Sequence, residues 1–238
     1  MKKAIIHFLI CAAMTACGGG AEIVDTRPIE DMYADAYKKV GETNYEAAAA
    51  AFTEIESMHP TSEWAPDALI MAAYSNYEAR NFAAAITTID RFMRFHPGHR
   101  HVDYVLYLKG MCYYRQVSDV RREPGMSGQA LGAFTQLVQR FPKSEYAQNA
   151  ENKIMILKNY IAGKIMYSAR RDLGRQNYPV AITNLQTIIT KMQETQMTPE
   201  ALYRLTEAYT AIGLPDQAAG YAEMLRLNFP DSEWSGKP

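Results

Sequence analysis

Counted from five alanines, Ala48, Ala85, Ala130, Ala181 and Ala218, side chains suited to a buried seam return four and seven residues later. They are Phe52 and Ile55, Ile89 and Phe92, Phe134 and Leu137, Leu185 and Ile188, and Ala222 and Leu225. Positions separated by four and seven lie on one face of an α-helix. Twelve residues before four of these alanines stands another small residue: Ala36, Ala73, Ala169 or Thr206. In the third copy Gly110 precedes Ala130, with eight additional residues between them. Twelve residues after the alanine comes Pro60, Pro97, Pro142 or Pro230, replaced in the fourth copy by Gln193. Two helices approach closely where the contact residue is small, and a bulky stripe beside it fills the seam. Proline stops the second helix, because it has no N–H to continue the hydrogen-bond ladder. The pattern therefore predicts an all-α chain, a superhelical array of five helical hairpins.

The spacing resembles that of tetratricopeptide repeats, which place small residues in both helices, an aromatic in the second and a closing proline at these relative positions. The first copy is predicted as Asp31–Val40, a turn over Gly41–Asn44, and Tyr45–Met58. Its closing string Pro60-Thr61-Ser62-Glu63-Trp64 returns as Pro142-Lys143-Ser144-Glu145-Tyr146 and Pro230-Asp231-Ser232-Glu233-Trp234. The serine is expected to cap the following helix, with the glutamate in its first turn. First-helix small residues recur every 37 positions except between Gly110 and Ala169, where the interval is 59. Part of the excess is a polar loop over Asp119–Gly125; the rest falls in Lys143–Ala162, which has neither Gly nor Pro. One helix from Glu145 to Leu173, roughly 43 Å long at ~1.5 Å per residue, is the expectation. It would divide the chain into an N-terminal lobe, residues 28–142 with repeats one to three, and a C-terminal lobe, residues 143–238 with repeats four and five.

The N-terminus reads differently. Lys2 and Lys3 precede an apolar run, Ala4–Met14, broken only by His7 and followed by Thr15-Ala16-Cys17. The run is too short for the ~20 residues of a membrane-spanning helix and fits a signal peptide over residues 1–16. Small residues directly before a cysteine resemble the lipobox of bacterial lipoproteins, with Met14 in place of the usual leucine. That resemblance makes Cys17 the acylated first residue of the mature chain, residues 17–27 a flexible tether, and the outer membrane, in the absence of aspartate after Cys17, the destination.

Composition narrows the chemistry. The formal charge is −1, and −3 without Lys2 and Lys3, so no basic field points to nucleic acid. Of three cysteines only Cys112 lies within the repeats, which leaves no internal disulfide and suits a buried thiol. His96, His99 and His101 lie beside Pro97 and Gly98 with no cysteine or carboxylate cluster nearby, and are expected to be solvated loop residues rather than metal ligands. The 13 methionines fall mostly at helical spacing, as core filler. No cofactor, metal or catalytic set is expected, and the chain does not read as an enzyme.

The string Ile89-Asp90-Arg91-Phe92-Met93-Arg94-Phe95-His96-Pro97, followed by Val102–Gly110, is similar to the outer-membrane assembly lipoprotein family BamD, also called ComL. So are the lipobox, the five repeats, the interrupted third repeat and the long helix before the fourth. The resemblance implies a non-catalytic lipoprotein, lipid-anchored on the periplasmic face of the outer membrane. It would bind unfolded β-barrel precursors and dock on a BamA-type insertase beside other assembly lipoproteins. After Ala181-Ile182-Thr183 the family commonly carries Asn-Arg, whereas this chain has Asn184-Leu185. The implied insertase contact, placed on Asn184, Leu185 and Tyr203, is accordingly expected to be more apolar here. An envelope scaffold of another kind, a pilus-assembly pilotin or a cell-wall-synthesis coordinator, would also need only repeats and a lipid.

Tyrosine marks the candidate binding surface. Three before the first-helix small residue stand Tyr33, Ile70, Tyr107, Met166 and Tyr203; one after it stand Tyr37, Tyr74, Met111, Arg170 and Glu207. These positions are expected on the concave side of the array, with Tyr77, Tyr104 and Tyr114 on the same face. Aromatic rings with hydroxyl tips suit an extended peptide, which offers both side chains and backbone polar groups. The alternative is that the tyrosines fill the inner wall of the superhelix.

Overall fold

The computed structural model describes residues 27–117 and 124–237. Among the described residues there are ten α-helices and no strand. They pair as α1 (Ile29–Gly41) with α2 (Tyr45–Met58), α3 (Ala65–Glu78) with α4 (Phe82–Phe95), and α5 (Val102–Tyr114) with α6 (Pro124–Arg140). The chain continues with α7 (Ala147–Gly174) and α8 (Tyr178–Lys191), then α9 (Thr198–Ala211) and α10 (Pro215–Asn228). Each helix packs on the next in sequence, and α3 also meets α5 directly, so hairpins stack side by side with first helices sharing one face. At its C-terminal end the stretch expected as a polar loop, Asp119–Gly125, is helical instead. Pro124 and Gly125 already belong to α6, where proline suits a first turn, and the rest of that stretch lies outside the described residues, as do the signal peptide and Cys17.

The seam is built as the spacing dictates. Ala36, Ala48, Ala73, Ala85, Ala130, Ala169 and Ala181 are buried, and so are all ten residues at four and seven past the second-helix alanine. Burying a Phe or Ile fully contributes about 1.5–3 kcal/mol each, so Phe52, Phe92 and Phe134 are principal anchors of their hairpins. Gly110 is the tightest of these sites: an added Cβ would meet the Phe134 ring at 2.4 Å.

The turns inside four of the hairpins share one conformation. Thr43, Arg80, Gln176 and Gly213 stand at corresponding places, and all have positive φ, +57°, +60°, +61° and +76°. A left-handed residue ends the first helix and lets the chain reverse; only the last of the four uses glycine. The turns between hairpins correct one expectation. Ser62, Ser144 and Ser232 do not cap the following helix but accept a hydrogen bond from the backbone N–H two residues on, at Trp64, Tyr146 and Trp234. The glutamates Glu63 and Glu145 therefore lie in the turn, before α3 and α7 begin.

The long helix runs over Ala147–Gly174, 28 residues, close to its predicted bounds. Its first half, with Ala150, Ile154 and Leu157, packs into the apolar cluster of repeats two and three. Its second half, with Ala162, Met166 and Ala169, belongs to a separate cluster with α8 and α9. A third cluster holds repeat one and the start of α3. Repeats thus change at residue 142, whereas the core divides inside α7, between Leu157 and Ala162.

Candidate functional site

Tyrosine positions follow from the same register as the seam. At three before the first-helix small residue, the ring reaches across its own hairpin and meets the aromatic of the next turn. Tyr33 lies 5.1 Å edge-on from Phe52 and 5.0 Å from Trp64. Tyr107 lies 6.0 Å from Phe134 and stacks on Tyr146 at 5.2 Å, 28° between planes. Tyr203 lies 5.1 Å from Trp234. The other two repeats put Ile70 and Met166 at this position, both buried. This corrects the expectation that the position is open groove: it seals one hairpin to the following turn, and its tyrosines are half-buried.

One residue after the small position the surface opens. Tyr37 is 58% exposed, and Tyr74 presents its ring edge to Tyr45 at 6.4 Å. From Tyr74 the row continues along α3 and α5. Burial first, then the neighbouring Glu78 and the phenols of Tyr45, Tyr37 and Tyr77, push Tyr74 above its ordinary pKa. Tyr104 is pushed higher by burial and by Tyr74 and Tyr146. Tyr33, by burial and then by Asp67 and Tyr37, is pushed up to about 12. Electrostatic coupling of this kind runs along phenols that are near one another in space. Tyr33, Tyr37, Tyr74, Tyr77, Tyr104 and Tyr107 thus lie along the first helices α1, α3 and α5, with Tyr104 and Tyr107 joined through their ring contacts to Tyr146. Tyr114 joins through Phe134, 6.3 Å away. Two members escaped the sequence reading, Tyr45 and Tyr146. The latter was legible as the aromatic of the Pro-Lys-Ser-Glu-Tyr string, matched to Trp64 and Trp234.

Polar groups close the far end of the row. Tyr107 Oη donates to Asn149 Oδ1 at 2.8 Å, and the same oxygen accepts from Lys153 Nζ at 2.5 Å. Arg115 Nε donates to Tyr77 Oη at 3.1 Å. A cavity lined by Tyr77, Glu78, Arg80, Phe82 and Arg115 opens beside this contact.

Repeats four and five carry charge where the earlier repeats carry tyrosine. Glu200, its side chain 6% exposed, accepts from Arg170 Nε at 2.7 Å and again from Arg170 Nη2; Arg204 Nε lies 3.4 Å away and Arg204 Nη1 pairs with Glu207 at 2.7 Å. Burial alone would raise the Glu200 pKa, but the Arg170 bonds and the charges of Arg170 and Arg204 outweigh it and hold the carboxyl below its ordinary range. Arg204 also lies over Tyr203 and Trp234, and Lys237 sits 3.7 Å from the Trp234 ring centroid.

Of the residues assigned to an insertase contact, one is closed to solvent. Leu185 is fully buried, because it occupies the place four past Ala181 that fills the seam in every hairpin. A direct contact through its side chain is excluded. Asn184 is half-buried, and Tyr203 is engaged with Trp234. The histidines also differ from expectation. His99 packs edge-on against Phe92 at 5.5 Å and lies 3.9 Å from Asp67, and burial lowers its pKa, so it is not simply solvated. Among the described residues no group of His, Cys, Asp and Glu could hold a metal ion, and no helix is long and apolar enough to cross a membrane. Cys112 is buried and its thiol pushed up to about 12, which keeps it protonated and inert as a nucleophile.

Residues 25–225 match the family model YfiO, described as an outer membrane lipoprotein. The outer membrane protein assembly factor BamD of Caulobacter vibrioides is 36% identical over 97% of this chain and 77% of its own length. BamD of Rickettsia prowazekii is 33% identical over 87% of this chain and 82% of its own. BamD of Neisseria meningitidis serogroup A is 32% identical over 98% and 93%. With the hairpin register, the interrupted third repeat and the long α7 accounted for, and with similarity running almost end to end, the chain belongs to the BamD family of outer membrane protein assembly factors.

Proposed function

We propose that the protein is a non-catalytic, lipid-anchored subunit of an outer-membrane assembly machinery, and that its tyrosine face receives unfolded β-barrel precursors. The observation that carries this reading is the row from Tyr37 to Tyr107. It offers aromatic area, hydroxyl tips and one largely exposed ring along a single face of stacked first helices. Strands of barrel precursors alternate apolar and polar residues, so a receptor for them needs both apolar area and hydrogen-bonding groups. Tyrosine supplies both at low entropic cost. Cys17 is the proposed acylation site that holds this face at the periplasmic side of the membrane. Repeats four and five of the C-terminal lobe, which carry Arg170 and Glu207 where the first two repeats carry Tyr37 and Tyr74, are the proposed side for docking on a BamA-type insertase, through exposed groups around Asn184 and α10 rather than through Leu185. Truncation after Lys191 would then abolish co-purification of the insertase.

The test is calorimetric titration with a peptide copied from a barrel C-terminus. Tyr37→Ala with Tyr74→Ala should weaken it by about 2 kcal/mol, as expected of aromatic hot spots. The melting temperature should fall only modestly: Tyr37 is largely exposed with no ring partner among the described residues, and the loss comes from Tyr74, half-buried against the core of repeats two and three. Unchanged affinity in the folded double variant would remove the support for the groove.

A further inference from the structure

Three of the chain's five histidines, His96, His99 and His101, fall within six residues of the turn between α4 and α5. The side chain of His99 is 20% exposed and stands edge-on against the buried ring of Phe92 at 5.5 Å. His96 meets the same ring at 5.7 Å. Two hydrogen bonds fix the protonation of the turn. His101 N–H donates to His99 Nδ1 at 3.4 Å, and Arg100 Nε donates to His101 Nε2 at 3.0 Å. An imidazole nitrogen accepts only while it carries no proton, so both rings are neutral and the one ring N–H of His99 is at Nε2. That nitrogen faces Asp67 Oδ1, on α3, at 3.9 Å, while Arg100 Nη2 stands 3.8 Å from the other carboxylate oxygen. The turn and the start of α3 share one cavity, lined by Glu63, Trp64, Asp67, Gly98, His99 and Arg100.

We infer that residues 96–101 are an acid-sensitive latch, shut against Phe92 and α3 while His99 and His101 are neutral, and released when His99 gains its second proton. That proton takes the Nδ1 site from the His101 N–H. It also sets a charge against the Phe92 ring and beside Arg100, in a turn where His96 and His101 acquire charge over the same range. The carboxylates that oppose release are Asp67 and, on the same cavity, Glu63; Asp67 already faces Arg100. Burial lowers the His99 pKa, Asp67 raises it, and His101, Arg100 and His96 lower it again, so that the balance stays below the ordinary value. The stability that neutral His99 contributes is therefore fully present above about 6.5 and is lost as pH falls through the folded value. Release withdraws one wall of the cavity and leaves Trp64, on the α3 side, to water. Tyr33 meets this same Trp64 ring at 5.0 Å, so acid acts on the contact that seals the first hairpin to the second.

The experiment follows Trp64 in the full chain carrying Trp234→Phe, which leaves it as the only tryptophan. From about pH 8 to about pH 5, either side of the ordinary histidine value and above that of carboxylates, its emission should shift to the red and its quenching by acrylamide should rise in one step. Adding His99→Gln keeps a neutral acceptor at the same place and should remove the step, with Trp64 still shielded at the acid end. On the unsubstituted chain, where no variant has to fold, amide exchange at His101, measured against its intrinsic rate, should lose protection across the same range. A flat Trp64 response would overturn the latch, and so would a shift to the blue, which would mean that Asp67 tightens on charged His99. A step that survives His99→Gln in a folded chain, or His101 protection undiminished at the acid end, would overturn it as well.

Discussion

Gly110 faces the ring of Phe134 so closely that no side chain fits between α5 and α6 at that point; the nearest ring carbon would lie 2.4 Å from an added Cβ. Phe134 cannot retreat, because Tyr107 and Tyr114 flank it at 6.0 and 6.3 Å. Gly110→Ala should therefore destabilise the protein by about 1–3 kcal/mol, the usual cost of overpacking. Adding Phe134→Leu should recover part of that loss, a coupling that a double-mutant cycle in urea would measure. Additive effects would contradict the contact.

Tyr107 and Tyr37 belong to the same row but do different work. Tyr107 is stacked on Tyr146, packed on Phe134 and hydrogen-bonded to Asn149, so Tyr107→Ala should cost about 2–4 kcal/mol in a denaturant melt. Tyr37→Ala should stay within about 0.5 kcal/mol of the unsubstituted chain. Equal losses would mean that the row is either all wall or all surface.

Thr43 carries a β-branched side chain at φ +57°, where Gly213 stands in the last hairpin. Left-handed backbone costs an L-residue about 1 kcal/mol, whereas glycine adopts it without a Cβ clash. Thr43→Gly should raise stability by up to about 1 kcal/mol, read as an upward shift in melting temperature. A fall would show that the side chain of Thr43 contributes more than its backbone strain removes.

Glu200 sets a pH dependence whose sign is fixed. Its folded pKa is held below the unfolded value of about 4.3. Its contribution is thus fully present above the unfolded value and is lost as pH falls through the folded one. Glu200→Gln should cost about 1–3 kcal/mol near neutral pH, and the variant and unsubstituted chain should converge in stability as acid protonates the carboxylate. A difference that persists undiminished at pH 3 would assign the effect to packing instead.

The register of the array was readable because it rests on volume. Small residues at Ala36, Ala73 and Ala169 and bulky ones at Phe52, Ile89 and Leu185 have to recur wherever two helices touch. Leu185 obeys the same rule: four past Ala181 it points inward, and the family resemblance that puts a polar contact at this place carries no information on volume. Tyr33 and Tyr107 were harder to interpret. Their spacing puts them on the correct face, but their partners Trp64 and Tyr146 lie 31 and 39 residues away, the second across an insertion. Ser62, Ser144 and Ser232 show a third kind of ambiguity. A hydroxyl ahead of a helix can serve a cap or a tight turn, and the choice depends on backbone angles that composition does not specify.

Within α7, Leu157 closes one apolar cluster and Ala162 opens the next, five residues further along an uninterrupted hydrogen-bond ladder. Such a segment behaves as an index. Each residue of an α-helix turns the chain by about 100° and advances it ~1.5 Å. Inserting or deleting one residue between 157 and 162 would re-aim every side chain of α8–α10 relative to the tyrosine row by that angle. Exposed loops tolerate length changes at little cost, but at this point the chain admits only discrete steps. The heading between the tyrosine-bearing first helices and the charged C-terminal repeats is thus counted in residues.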